Sequence, residues 1–182
     1  PTPLWAGDVT GRARVLHPST RQLLQRFPVI DQPPSVLVNV NGLVVLPGDT
    51  EVLVAIQGGM LGVWNVKSGR LIRRFQSDGQ KLTALSLSKD GARAISGGRD
   101  GQIAIWNVAT GARLQLLCGH TGPVQALTIT DDQETLVSAG WDGRLKSWEI
   151  YSPGSPVPNR SRCRHTDAAG GSHRTRRKLR SG

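Results

Sequence analysis

The feature that most constrains the fold is a repeated tryptophan. Trp64, Trp106 and Trp148 are separated by two equal intervals of 42 residues. When residues 77–106 are laid over 119–148 without a gap, eight identities fall in register, among them a serine, an aspartate and the tryptophan. A spacing that is kept together with its surrounding residues indicates one structural unit that the chain uses several times.

Each unit has the alternation of β-strands. The segments "VQALTIT", "ETLVSAG" and "RLKSWEI" alternate apolar and polar residues between turns that contain Gly or Asp, and helical periodicity is absent. Four short antiparallel strands in roughly 40 residues form the blade of a propeller. A blade cannot bury both of its faces alone and must pack on its neighbours, so we expect an all-β fold of stacked sheets.

Specific motifs connect the units to a known family. "GH" at 119–120, "SAGWDG" and "WEI" resemble a WD40 repeat, "SGGRDGQIAIWNV" resembles a second, and "AIQGGMLGVWNV" a degenerate third. The resemblance covers roughly residues 5–150. It implies a partial WD40 β-propeller of about three to four blades of four-stranded antiparallel sheet.

The repeat frame also predicts the division of the chain. The last blade is expected to lack its outer strand, because Pro156 and Pro158 fall where that strand would need backbone donors. The first part-blade is expected to contribute two strands. The predicted units are WD40 repeats over 1–150, made of a degenerate part-blade 5–27, a blade 36–75, a blade 78–117 and a three-stranded blade 120–150, followed by a basic, disordered tail 151–182.

The ring is expected to be incomplete. The chain begins at Pro1 and its one methionine is Met60, which favours a fragment of a larger propeller protein. Completion of the ring by another chain or a second copy, and a modified or frame-shifted end, are the alternatives. In each case we expect further blades to be needed for closure.

The resemblance implies a buried hydrogen-bonded chain of four side chains in the last complete motif. The family places its histidine, serine, aspartate and tryptophan at His120, Ser138, Asp142 and Trp148, and an indole N–H needs such an acceptor when it is buried. The preceding unit keeps Ser96, Asp100 and Trp106 but has Asp78 at the histidine position, and the unit before that has Val54 and Gly58 for the serine and aspartate. We therefore expect amide exchange to be slowest in 119–150 and faster in 35–75.

A Ser–His–Asp set also raises the possibility of a hydrolase. A nucleophilic serine must be exposed beside an oxyanion hole, whereas here the set ends on Trp148 and is repeated along the chain, which favours packing. No phosphate loop, paired carboxylates or dinucleotide fingerprint occurs, so we expect no catalytic residues, no enzyme activity and no cofactor. Cys163, His165 and His173 lack a fourth ligand and a folded frame, so no metal site is expected either.

The excess positive charge lies at the C-terminal end. Residues 151–182 contain 8 Lys and Arg against 1 acidic residue, whereas 1–150 contain 15 against 12. The arginines of 160–180 could neutralise the phosphates of a nucleic acid, although Tyr151 is the last aromatic residue and a solvated tail is favoured. No apolar run is long enough for a membrane span, and we expect an intracellular protein, cytoplasmic rather than nuclear.

The family resemblance implies a scaffold or adaptor that binds other proteins through one propeller face. Contacts in the family often involve the residue just before the turn aspartate, which is Trp141, Arg99 and, as a weaker equivalent, Gln57. Trp and Arg are frequent interface anchors, although Trp141 could instead pack on its own turn. The alternatives are a sensor or regulatory propeller of a larger signalling protein or enzyme whose active domain lies outside this chain, and a nucleic-acid-associated module that uses the basic tail.

Overall fold

The computed structural model describes residues 4–7, 12–17, 19–28, 40–56, 58–75 and 81–151. These residues form an all-β structure of four antiparallel sheets. In chain order the strands are β1 (Leu4–Gly7), β2 (Arg12–Leu16) and β3 (Leu23–Pro28); β4 (Val40–Val45), β5 (Glu51–Ile56), β6 (Leu61–Asn65) and β7 (Leu71–Phe75); β8 (Leu82–Leu87), β9 (Arg93–Gly98), β10 (Gln102–Asn107) and β11 (Arg113–Cys118); and β12 (Val124–Ile129), β13 (Thr135–Gly140) and β14 (Leu145–Glu149).

The sequence period reappears as a structural period. The strands β4, β8 and β12 begin at Val40, Leu82 and Val124, which are again 42 residues apart. The second and third sheets have four strands each, in the orders β4-β5-β6-β7 and β11-β10-β9-β8, and every strand pairs with its neighbour in sequence. The last sheet has three described strands, and the segment 154–159, where the sequence predicts no fourth strand, lies outside the described residues.

The first sheet corrects one expectation. It has three strands and not two, because β1 pairs antiparallel with β2 from Leu4 opposite Leu16 to Gly7 opposite Ala13. The spacing of 48 residues between Leu16 and Trp64 makes β1 the counterpart of β5. The four residues "LWAG" are too few for an alternating pattern to stand out, and their strand is defined by pairing with β2.

The sheets pack face to face in chain order. Strand β4 contacts β8, and β8 contacts β12, so the first strands of successive sheets line one side of the stack. Apolar side chains of each sheet are buried against the next, as the edge-to-face contact of Phe75 with Trp106 shows, with ring centroids 5.9 Å apart. One core includes Leu53, Leu61, Val63, Leu82, Ala94 and Trp106, and the next includes Ile95, Ile103, Ile105, Val124 and Leu136.

Side-chain hydrogen bonds also join neighbouring sheets at repeated positions. Asn41 Nδ2 donates to the carbonyl oxygen of Leu82 (2.6 Å), and Thr83 Oγ1 donates to that of Val124 (2.6 Å). These bonds attach the first strand of one sheet to the first strand of the next. Sequence reasoning missed them, because a polar residue in a strand looks like a solvent-facing position until the neighbouring sheet is known.

No described segment is a helix that could cross a membrane. The basic segment 152–182, for which the sequence predicts disorder, lies outside the described residues.

Candidate functional site

The strand directions create two different faces. Because consecutive strands are antiparallel, the β5–β6, β9–β10 and β13–β14 turns and the β11–β12 loop all lie at one edge of the sheets. We call this edge the upper face; its described core is formed by 98–102, 119–123 and 140–144. The lower face is the opposite edge, which carries the β4–β5, β8–β9 and β12–β13 turns and the β6–β7 and β10–β11 turns.

Two turns of the upper face have the same backbone. The amide of Arg99 donates to Lys81 O (2.8 Å), and the amide of Trp141 donates to Pro123 O (2.9 Å). Each turn is closed by a further bond between the residues on either side, Gly101 N to Gly98 O and Gly143 N to Gly140 O. Arg99 and Trp141 therefore occupy one structural position in neighbouring sheets.

The loop 119–123 lies between these two turns. Gly101, at φ +80°, packs so closely that a Cβ atom there would overlap His120 O and lie 3.1 Å from Gly122 O. On the other side, a Cβ atom at Gly122 would lie 3.4 Å from Trp141 Cβ. The turn of Arg99, the loop and the turn of Trp141 thus form a continuous surface.

The residues predicted to bind a partner differ in what the structure says of them. The side chain of Trp141 is 74% exposed, whereas Trp106 is 2% exposed in the core. Arg99 is exposed as well. Gln57 lies outside the described residues. The alternative that Trp141 packs on its own turn is disfavoured by this exposure, because a tryptophan that packs as a core residue is largely covered.

The four side chains of the predicted hydrogen-bonded chain meet beneath the turn of Trp141. Trp148 Nε1–H donates to Ser138 Oγ (2.8 Å), and Ser138 Oγ lies 2.7 Å from His120 Nε2. His120 Nδ1 lies 2.9 Å and 3.0 Å from the two carboxylate oxygens of Asp142. Since a carboxylate can only accept, Nδ1 carries the proton, and in the neutral imidazole Nε2 accepts from the serine hydroxyl.

Asp142 connects this buried chain to the upper face. Its Oδ2 accepts from the amide of Thr121 (3.1 Å) and its Oδ1 from the amide of Arg144 (3.2 Å). Burial by itself raises the pKa of Asp142, but the hydrogen bonds from His120 and the two amides outweigh it and lower the pKa from 3.8 to about 2. The carboxylate is therefore ionised near neutral pH, and it fixes the turn that carries Trp141.

The preceding repeats keep only part of this arrangement. Trp106 Nε1–H donates to Ser96 Oγ (2.9 Å), while Asp100 Oδ1 accepts from the amide of Gln102 (3.1 Å). Asp78, which stands at the histidine position, lies outside the described residues. In the repeat before, Trp64 is buried, and Val54 at the serine position offers no hydroxyl.

The connectivity Ser138–His120–Asp142 is that of a hydrolase triad, with the imidazole between serine and carboxylate. However, Ser138 is 1% exposed, and its hydroxyl oxygen already accepts the indole N–H of Trp148. A substrate carbonyl could not reach it, so the set holds the blade together. Among the described residues no group of three His, Cys, Asp or Glu could hold a metal ion, and Cys163, His165 and His173 lie outside them.

A second polar motif recurs on the lower face, and sequence reasoning saw only its aspartate. Asp90 Oδ1 accepts from Ser88 Oγ and from the amide of Ala92, and Asp132 Oδ1 accepts likewise from Thr130 Oγ1 and the amide of Glu134. The side-chain hydrogen bond from the hydroxyl is the main cause that lowers the pKa of each aspartate. These bonds close the β8–β9 and β12–β13 turns.

Solved structures similar to this chain include two computationally designed proteins. The Ika4 protein is 29% identical, with a TM-score of 0.67, and the match covers 83% of this chain and 87% of that one. The Ika8 protein is 30% identical, with a TM-score of 0.65, and the match covers 80% of this chain and 42% of that one. The chain therefore spans less than half of the length of Ika8. The curated proteins give no significant match.

Stacked antiparallel sheets that repeat a tryptophan-to-serine hydrogen bond define an unclosed β-propeller arc. Residues 69–107 and 111–149 each match the family described as WD domain, G-beta repeat. Through these two repeats the chain belongs to the WD40-repeat family, whose propellers typically bind proteins.

Proposed function

We propose that the chain is a protein-interaction scaffold that binds its partner through the upper face, with Trp141 and Arg99 as anchors. The observation that carries the proposal is the 74% exposure of Trp141 on a turn that the buried His120–Asp142 pair holds in place. A large apolar side chain on a rigid turn loses little entropy on binding and buries much area, which is typical of an interface anchor. Gln57 occupies the equivalent position in the second sheet and is proposed as a weaker contact.

The test is a comparison of partner capture by matched variants. We expect Trp141→Ala/Arg99→Ala to lose proteins that the wild-type chain retains from a cell extract, while its melting temperature stays close to that of the wild type. The control is Lys89→Ala/Asp131→Ala, which changes two exposed residues of the lower face. Loss of the same proteins with the control, or their retention by the upper-face variant, would contradict the proposal.

We further infer that the open face of the last sheet is covered by another blade, supplied by a larger protein that contains this chain or by a second copy. Leu145 is 78% exposed, whereas Ile103, its counterpart in the preceding sheet, is 0% exposed. Gln125 stands where Thr83 bonds the next sheet, and it is exposed. A chain extended by a following repeat should bury Leu145, and protection of that residue from covalent labelling would be measured; unchanged labelling in the extended chain would oppose the inference.

A further inference from the structure

We propose that the upper face binds an acidic peptide segment that also carries an aromatic or large aliphatic side chain. The proposal rests on the proposed function and adds the chemistry of the partner.

The two faces carry charge of opposite sign. On the described upper face the cationic side chains outnumber the carboxylates, whereas the reverse holds on the lower face. The upper face has Lys81, Arg99, Arg144 and Lys146 against Asp100 and Asp142; the lower face has Asp49, Glu51, Asp90, Asp131, Asp132, Glu134 and Glu149 against Lys67, Arg70, Lys89, Arg93 and Arg113. An acidic segment is therefore attracted to the upper face and repelled by the lower one.

The carboxylates of the upper face are already engaged, and most of its cations are not. Asp142 accepts from His120 and from two backbone amides, and Asp100 accepts from the amide of Gln102. In contrast, the exposed side chains of Lys81, Arg99 and Arg144 make no hydrogen bond or ion pair to any described residue. The charge that this face can offer to a partner is thus positive.

The free cations surround the exposed indole. Arg144 follows Trp141 in the same turn, and Arg99 lies on the turn that packs against the other side of the loop 119–123. Lys81 is bonded through its carbonyl to the amide of Arg99. A partner that places an apolar side chain on Trp141 would have its flanking residues beside guanidinium and ammonium groups, which favour carboxylates there.

A peptide fits this surface better than a nucleic acid does. Asp100 and Asp142 lie next to Arg99 and Trp141 in their turns, so a backbone with one phosphate at every nucleotide would meet negative charge within the site. In addition, Trp141 is the one exposed aromatic side chain on the described part of this face, which gives one stacking platform and not a series. A peptide can place acidic residues at selected positions and leave the others neutral.

The test is selection of binders from a phage-displayed library of random dodecapeptides on the full chain. We expect the enriched peptides to have a net negative charge and an aromatic or large aliphatic residue. For a synthetic peptide of the enriched sequence, Trp141→Ala should weaken binding about 30-fold. Arg99→Glu/Arg144→Glu should weaken it about tenfold, with a smaller loss at high salt, and the control Lys89→Ala/Asp131→Ala should leave it unchanged.

Other outcomes overturn the proposal. Enriched peptides that are neutral or basic, peptides that bind Trp141→Ala as well as the wild type, or a library without enriched sequences would each contradict it. Binding of polyuridylate that is lost in the same upper-face variants, in place of peptide binding, would assign the face to nucleic acid. These failures differ from failure of the proposed function, which would appear as unchanged protein capture by Trp141→Ala/Arg99→Ala.

Discussion

At the scale of single residues, Ser138 has the largest structural task in the last repeat. Its hydroxyl both accepts from Trp148 and bonds His120, so its removal leaves two polar groups without a partner. We expect Ser138→Ala to lower the free energy of unfolding by about 1–3 kcal/mol. Urea unfolding would measure this, with Ser147→Ala, an exposed serine of β14, as the control that should change little. Equal effects of the two substitutions would contradict the assigned role.

Asp142 predicts a dependence of stability on pH. Because its pKa falls from 3.8 to about 2 on folding, its stabilising contribution is complete above 3.8 and is lost as the pH falls toward 2. Asp142→Asn should therefore be less stable than the wild type near neutral pH, and the difference in melting temperature should shrink between pH 4 and pH 2. Asp131→Asn serves as the control. A difference that stays constant over this window would show that the carboxylate charge contributes nothing.

At the scale of turns and strands, the packing of the β9–β10 turn on the β11–β12 loop separates two otherwise similar glycines. Gly101 and Gly143 both have φ in the left-handed region, +80° and +72°, but a Cβ atom at Gly143 would meet nothing within 4 Å. An alanine at either position costs about 1 kcal/mol of backbone strain. Gly101→Ala should cost clearly more, because its Cβ atom overlaps His120 O. Equal unfolding free energies of the two variants would mean that the turn and the loop are not in contact.

The burial of the strands disfavours the ranking of amide exchange expected from the sequence. The hydrogen-bonded chain of four residues is complete in 119–150, but strands β5 and β9 are almost fully buried, whereas β12 and β14 are partly exposed. Packing between two neighbours protects a sheet more than its internal polar bonds do. We now expect the slowest exchange in β5 and β9, measured by mass spectrometry of the full chain; slowest exchange in 124–149 would restore the earlier expectation.

At the scale of the whole molecule, the sequence predicted the stacked sheets because the tryptophan marks one position in each of them. The 42-residue spacing is determined by the residues that one sheet needs, so it carries over directly to β4, β8 and β12. Strand β1 was missed, since its four residues contain too little pattern. The inter-sheet bonds of Asn41 and Thr83 were missed as well, because they depend on a neighbour that no local pattern describes.

The candidate site could be predicted only in part. The position before the turn aspartate pointed to Trp141 and Arg99, and the structure describes both as exposed on one face. The grouping of charge by face was not visible in the sequence, since Lys81, Arg99 and Arg144 are far apart in the chain and meet through antiparallel turns. Which carboxylates are engaged likewise depends on hydrogen bonds made across those turns.

The most direct test of this account is hydrogen exchange of the indole N–H groups, followed by nuclear magnetic resonance on the full chain. If one tryptophan position holds each blade together and Trp141 remains free for a partner, the indole protons of Trp106 and Trp148 will exchange slowly and that of Trp141 will exchange at the rate of a solvent-exposed group. Protection of Trp141 equal to that of Trp106 would contradict the assignment of the upper face, and rapid exchange of both Trp106 and Trp148 would contradict the fold.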